Sequence, residues 1–165
     1  MRVALLCLGA AALCTGDIFV AAAAQRPEPL AQHLVDELLA AEPDVLHVAL
    51  HVTPPGQPDT QNMIIASNFG RIGKLADEDD LRILRTGAIE AVMAGAGDQY
   101  NVAVPLQEQS GRTIGILAVG FRYQRGADTA ALQRRALLLR DRMRLRIVSD
   151  AALFSAGSPV SGAHR

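Results

Sequence analysis

The pattern of apolar and polar positions predicts an amphipathic helix near each end of the chain. Between residues 30 and 41, apolar residues recur every three or four positions, as at Leu30, Leu34 and Leu38, which is the spacing of one helix face. Pro43 ends this helix because proline cannot continue its hydrogen-bond ladder. Between residues 128 and 147 the same spacing predicts a longer helix, whose apolar stripe consists of Leu132, Ala136, Leu139, Met143 and Ile147.

Four segments between these helices are typical of β-strands: residues 45–53, 62–67, 99–107 and 113–123. In the first of them, side chains alternate between two faces of the predicted sheet. One face is predicted to carry Leu46, Val48, Leu50 and Val52, and the other His47, Ala49 and His51. A short polar connection with Ser-Gly at its centre joins the last two segments, which indicates a β-hairpin.

An acidic cluster at residues 77–80 precedes a further run of apolar residues that extends to Met93. Carboxylates at this position favour the start of a helix, because they cap free N–H groups and interact well with the helix dipole. We therefore predict a helix from the cluster to Gly95. A calcium loop is excluded, because the Asp-x-Asp-x-Asp-Gly spacing and a terminal Glu are lacking.

The order of elements predicts an α+β domain, a PAS-like antiparallel sheet flanked by N-terminal and long C-terminal helices. Residues 1–24 have the pattern of a secretory signal peptide: a basic Arg2, an apolar stretch and an Ala-Ala-Ala cleavage site that ends at Ala24. The domain is expected to span residues 25–150, followed by a disordered tail at 151–165. The chain is thus predicted to be periplasmic or secreted, with retention of the leader as an anchor as the alternative.

Composition narrows the classes of function. The 165 residues carry a formal net charge of −1, and only 4% are aromatic, so neither nucleic acid nor an anionic membrane is an expected partner. Cys7 and Cys14 would leave with the signal peptide, which excludes a disulfide or a thiolate site in the mature chain. His47 and His51 lie about 13 Å apart on an extended strand, too far to share a metal ion. No catalytic residue, metal site or cofactor is predicted.

The most suggestive stretch is the polar corner that follows the second strand. It contains Ser67, Asn68, Arg71 and Lys74, with glycines at 70 and 73. These residues could form a capped turn, in which Ser67 and Asn68 satisfy local backbone groups and the two cations stay in water. They could equally form an anion-binding site, with Arg71 as a bidentate donor to a carboxylate.

Three further residues are candidates for the same pocket. Tyr100 and Tyr123 are two of only six aromatic residues, and an apolar ring with a polar tip suits the wall of a ligand cavity. His51 lies next to a proline-rich loop and is a candidate for the pocket lining. Six arginines on the last predicted helix indicate either a solvated face or a protein-docking surface, for which the candidates are Arg140, Arg142 and Arg144.

Two stretches, IIASNFGRIGKLADEDDLRIL and YNVAVPLQEQSGRTIGILAVGFRY, carry a family resemblance. Over residues 30–147 the chain resembles the extracytoplasmic PAS-like sensor domains of the single Cache type. The resemblance implies a curved antiparallel sheet that encloses a pocket for small metabolites, often organic acids or amino acids. The pocket residues of that family correspond loosely to Ser67, Asn68, Arg71 and Tyr100. The sequence lacks a second apolar span after Ile147, so a free, exported version of the domain is expected.

Two functions follow as hypotheses. The first is a periplasmic binding or sensing domain for an organic anion or an amino acid, which acts through a separate membrane sensor or transporter protein. The second is an interaction module that docks on such a protein through the arginine-rich helix. A homodimer is a further candidate assembly, and an enzyme is not expected.

Overall fold

A five-stranded antiparallel sheet organises the part of the chain that the structure, a computed structural model, describes: residues 28–58 and 61–156. The strands are β1 (Val45–Val52), β2 (Met63–Ser67), β3 (Glu90–Ala94), β4 (Gln99–Gln107) and β5 (Thr113–Arg122). Their order across the sheet is β2-β1-β5-β4-β3. The helices are α1 (Leu30–Ala41), α2 (Glu78–Thr86) and α3 (Thr129–Arg144), followed by a short 3-10 turn (Ala151–Phe154). The predicted α+β fold class is confirmed.

The first face of the sheet packs against α1 and α3 and holds the main core. The predicted stripe of α3 is buried at Ala136, Leu139 and Met143, and it continues to Ile147 beyond the end of the helix. On the sheet side, alternate residues of the central strands face these helices, and Phe121 is fully buried among them. Burial of one such side chain contributes about 1.5–3 kcal/mol to stability. Core packing therefore fixes which face of each strand is inside.

The second face of the sheet is only partly covered, by α2. Ile83 of α2 is buried, and Asp80 at the start of the helix lies 3.5 Å from His51 on this face. The predicted cap is confirmed, because the side chain of Asp77 accepts a hydrogen bond from the N–H of Asp80 and that of Asp80 accepts one from the N–H of Asp77. The covering of α2 stops short of the β3 end of the sheet.

The predicted single helix from residue 78 to Gly95 is wrong, because the segment divides into α2 and β3. Gly87 adopts a left-handed conformation with φ of 70° and ends α2, a role that glycine fills without steric cost. The residues after it pair with β4 from Glu90 to Ala94. Their apolar side chains satisfied the helical spacing by coincidence, and Val92 is in fact 60% exposed on an edge strand.

Two further predictions need correction. The pairing of β1 with β5 shifts between Val45 and His47, so that Val45 instead of Leu46 joins the core. Residues 151–156 also do not belong to a disordered tail. Leu153 is fully buried, and the N–H of Leu30 donates to the carbonyl of Ser155 at 2.8 Å, so this segment is part of the domain.

The predicted signal peptide at 1–24 lies outside the described residues, as does the end of the chain after residue 156. Among residues 28–58 and 61–156, none of the helices combines the length and the apolar character that crossing a bilayer requires.

Candidate functional site

A cavity of about 380 Å³ lies on the second face of the sheet, in the area that α2 leaves uncovered. This volume is within the usual range for small-molecule sites, about 300–1,000 Å³. The cavity is bounded by the polar corner on one side and by β3 on the other. Its lining side chains include His47, Phe69, Arg71, Glu90, Val92, Gln99, Asn101, Ala103, Ala118 and the backbone of Gly120.

The centre of the cavity floor is flat because small residues of β4 and β5 form it. Ala103 and Ala118 are paired across the two strands, and Gly120 follows on the same face. A Cβ atom at Gly120 would lie 2.7 Å from Oδ1 of Asn101 and 3.0 Å from Cδ2 of His47. The absence of a side chain at this position therefore lets His47 and Asn101 lie across the floor.

The walls combine apolar surface with a few polar groups. The rings of His47 and Phe69 meet edge to face, with their centroids 5.6 Å apart. Nε2 of His47 lies 3.3 Å from Oε1 of Gln99, a hydrogen bond when this nitrogen carries the proton. Glu90 forms an ion pair with Arg82 at 2.9 Å, so its charge is neutralised within the protein. The cavity thus combines apolar surface with polar groups, which lie across part of its floor and at its rim.

Arg71 supplies the positive charge of this cavity. Within the described part of the chain its guanidinium forms no ion pair, in contrast to Arg82. Its backbone has φ of 65°, and it is the one non-glycine residue among those described with positive φ. This conformation costs about 1–2 kcal/mol for a residue with a Cβ. Strain at a residue that lines a cavity is typical of a functional position.

The rest of the polar corner holds Arg71 in place. Ser67 donates a hydrogen bond from its hydroxyl to the carbonyl of Gly70. The side-chain oxygen of Asn68 accepts from the N–H of Val48 at 2.9 Å, and its nitrogen donates to the carbonyl of Leu46. Ser67 and Asn68 therefore stabilise the turn, as the capped-turn alternative predicts. Arg71 instead lines the cavity.

The other predicted site residues lie elsewhere. Lys74 forms an ion pair with Asp77 at 3.8 Å. Tyr100 and Tyr123 are on the first face, with ring centroids 6.1 Å apart, and the hydroxyl of Tyr100 accepts a hydrogen bond from Gln133 of α3. The two tyrosines therefore cannot form walls of the cavity that Arg71 lines, because the sheet lies between them. The prediction of one pocket for all these residues is wrong on this point.

His51 lies on the second face but beneath α2, where it is only 6% exposed. Its Nδ1 has no hydrogen-bond partner among the described residues, although a carboxylate oxygen of Asp80 lies 3.5 Å away. Burial lowers the pKa of His51 below its ordinary value of 6.5, and this effect outweighs the opposing influence of Asp80 and Asp77. Lys74 lowers the pKa further. Burial beneath α2 therefore favours the neutral form of the imidazole.

The stability of the protein is expected to fall in two stages as the pH is lowered. The unfolded chain takes up a proton on His51 near pH 6.5 while the folded chain resists it, so stability begins to decrease there. The pKa of Glu42 is also lowered, by hydrogen bonds from Arg142 and Arg135, which adds a second decrease below pH 4.5. Urea unfolding between pH 8 and about pH 3 measures both stages. In His51→Gln the first stage should disappear and the second remain; an unchanged profile would contradict the assignment to His51.

The arginines proposed for partner docking make contacts within the domain. Arg142 pairs with Glu42, at the end of α1. Arg140 pairs with Asp141 at 2.7 Å and donates to the carbonyl of Pro105, and Arg144 donates to the carbonyl of Gln109. These contacts attach α3 to α1 and to the β4–β5 hairpin. All three arginines therefore have partners within the domain. Docking of another protein on them remains a prediction.

Two grooves border α3, one of about 410 Å³ between α1 and α3 and one of about 570 Å³ along α3 itself. Their charged rims include Glu42 and Arg142, which already neutralise each other. The cavity on the second face differs because its arginine has no such partner among the described residues. It is therefore the stronger candidate for a site that holds an anion.

Sequence reasoning missed Phe69, Gln99 and Asn101 as cavity residues. The signal for Gln99 and Asn101 was present in β4, where they alternate with the core residues Tyr100 and Val102. Gln99 and Asn101 are the polar positions of the other face. A search for polar residues opposite each predicted core residue would have found them.

Comparisons with known proteins identify the fold of the chain but not a family. No protein-family model and no curated protein sequence matches the chain. Among solved structures, a putative GAF sensor protein from Burkholderia vietnamiensis has a TM-score of 0.52 and 15% identity, over 78% of this chain and 81% of that one. The repressor BlcR from Agobacterium tumefaciens has a TM-score of 0.51 and 11% identity, over 72% of this chain and 67% of that one. The chain thus has a PAS/GAF-like fold.

Proposed function

We propose that this chain is a ligand-sensing domain that binds a small organic acid in the cavity on the second face of the sheet. The observation that carries the proposal is the position of Arg71 at the rim of this cavity. Its backbone has positive φ, and its guanidinium has no ion-pair partner among the described residues. A guanidinium binds a carboxylate through two parallel hydrogen bonds, which gives both affinity and orientation. The flat floor and Phe69 would then contact the apolar body of the ligand.

The shared fold supports sensing in preference to catalysis. One structural neighbour is described as a sensor and the other as a repressor, so the fold serves regulatory proteins in both cases. In the proposed cavity the polar groups are suited to hold a ligand: a cation, two amides, an imidazole and the carboxylate of Glu90, whose charge Arg82 neutralises. The cavity would suit an amino acid as well as a simple organic anion, since the amide oxygens of Gln99 and Asn101 can accept from an ammonium group.

The proposal includes export and a separate partner. The leader-like pattern of residues 1–24 favours export, and we propose a periplasmic or secreted domain of the Cache type. Such a domain would pass its bound state to a membrane sensor or transporter protein. Mass spectrometry of the protein recovered outside the cytoplasm should show Gln25 as the first residue, and an intact leader would contradict cleavage.

A thermal-shift screen with small carboxylic acids and amino acids tests the binding site. A ligand at one hundred times its dissociation constant should stabilise the protein by about 2.7 kcal/mol. Ala118→Leu fills the floor of the cavity without changing any charge, and it should abolish the response. Arg125→Ala removes an exposed arginine away from the cavity and should leave the response intact. Stabilisation that persists in Ala118→Leu would place the ligand elsewhere, and a panel without any active compound would count against the proposal.

A further inference from the structure

The two edges of the sheet are protected to very different degrees. The outer edge of β2 is covered by the chain that follows it. The N–H of Ile64 donates to the carbonyl of Lys74 at 3.0 Å, and the N–H groups of Gly73 and Ala76 donate back to β2 and the residue before it. Met63 and Leu75 form an antiparallel bridge there. Both backbone groups of Ile64 on this side of β2 are therefore already satisfied.

β3 forms the other edge, and its outer side has no strand partner within residues 28–58 and 61–156. Its sequence is EAVMA, with neither a proline nor a lysine, and its pairing with β4 has no bulge. Val92 is 60% exposed and Met93 is 44% exposed. Soluble proteins normally protect an edge strand with a charge, a proline, a bulge or a covering segment. In β3 the one charged residue, Glu90, is at the end of the strand and is paired with Arg82.

We propose that β3 is a homodimer interface, in which it pairs antiparallel with β3 of a second copy about a twofold axis at Val92. In this register Val92 faces its own counterpart, Ala91 faces Met93, and Glu90 faces Ala94. No like charges are opposed, and the two exposed apolar residues gain contacts on both faces of the joined sheet. The result is a continuous ten-stranded sheet across the two domains.

The features of the edge favour a second copy over other occupants. Outward-facing N–H and C=O groups are satisfied by another strand, whereas a helix or a lipid surface leaves them without partners. Pairing with a strand of an unrelated protein would place no condition on the sequence of β3. Pairing with a second copy about a twofold axis does, because each residue of β3 must then suit the residue at the mirror position of the same strand. EAVMA meets this requirement because its only charge falls opposite an alanine.

The interface is small, since only five residues pair on each side. Interfaces of this size are typical of weak or transient assemblies. The fraction of dimer should therefore increase with protein concentration. The pairing does not depend on the proposed ligand, although Glu90 and Val92 also line the cavity.

Cysteine cross-linking tests the register. In a chain with Cys7→Ser and Cys14→Ser, the variant Val92→Cys places two cysteines on the proposed axis, with their Cα atoms about 4.5–5.5 Å apart, a separation that a disulfide can span. Mild oxidation should give a covalent dimer that reductant reverses. Val148→Cys, at an equally exposed valine distant from β3 in sequence, should remain a monomer. Absence of the Val92 dimer, or equal cross-linking at both positions, would overturn the proposal.

Sedimentation equilibrium tests the interface without a cross-link. The wild-type chain should shift from one chain mass towards two as its concentration rises. Met93→Lys, and independently Ala91→Lys, should keep the monomer mass at all concentrations, whereas the matched control Leu138→Lys on α3 should behave as wild type. The far-ultraviolet circular dichroism of all variants establishes that they are folded. A wild-type monomer throughout, or a dimer that survives both β3 variants, would refute pairing at β3.

Discussion

Replacement of Gly115 by Ala is expected to destabilise the protein by about 3 kcal/mol, at the upper end of the usual cost of overpacking a core. Gly115 lies in β5 opposite Val52 of β1 and Leu106 of β4. A Cβ atom there would lie 2.1 Å from the carbonyl oxygen of His51 and 2.9 Å from Cγ2 of Val52. The first contact is with backbone, so relief requires that two paired strands separate.

Gly120→Ala is the matched control, because it makes the same change in the same strand. The Cβ atom would meet side-chain atoms of Asn101 and His47, which can move, and the expected loss is about 1 kcal/mol. The midpoints of urea unfolding measure both variants. Equal midpoints for wild type and Gly115→Ala would show that β1 and β5 do not approach each other in this register.

Arg71→Gly is expected to separate the stability of the protein from its ability to bind a ligand. Glycine adopts the positive φ at this position without strain, so the unliganded protein should become more stable by up to about 1 kcal/mol. The same change removes the guanidinium. A charge-assisted hydrogen bond contributes about 1.5–3 kcal/mol, so affinity for an acid should fall by about 10- to 100-fold.

Calorimetric titration and urea unfolding of Arg71→Gly measure the two effects. Arg71→Ala is the useful comparison, because it loses the charge but keeps a Cβ at positive φ. It should lose affinity to the same extent and gain no stability. If Arg71→Gly binds an acid as tightly as wild type, Arg71 is not the anchor and its conformation has another cause.

The parts of the fold that depend on local pattern could be predicted from the sequence. α1 was predicted with the bounds that the structure shows, and the hairpin of β4 and β5 followed from two alternating segments around Ser-Gly. The division between α2 and β3 could not be predicted in the same way. Val92 and Met93 fit a helical spacing, and only their pairing with β4, which depends on distant residues, makes them a strand.

The candidate site was predictable in part for a similar reason. Arg71 was identified because the polar residues of the corner lie within eight positions of the sequence, 67–74. The cavity itself is assembled from β1, β3, β4 and β5, so its composition depends on the strand order. The misplaced Tyr100 shows the limit clearly. Its residue type suited a pocket wall, but its register in β4 directs it towards Gln133 on the opposite face.

Backbone amide NMR during titration with an acid found by the screen is the most direct test of the proposed site. Binding in the cavity on the second face predicts that the largest shift changes occur at Phe69, Arg71, Asn101 and Gly120. Residues of the groove between α1 and α3, such as Leu38 and Met143, should change little. Changes centred on that groove, with the signals of Phe69 and Gly120 unmoved, would contradict a ligand site at Arg71.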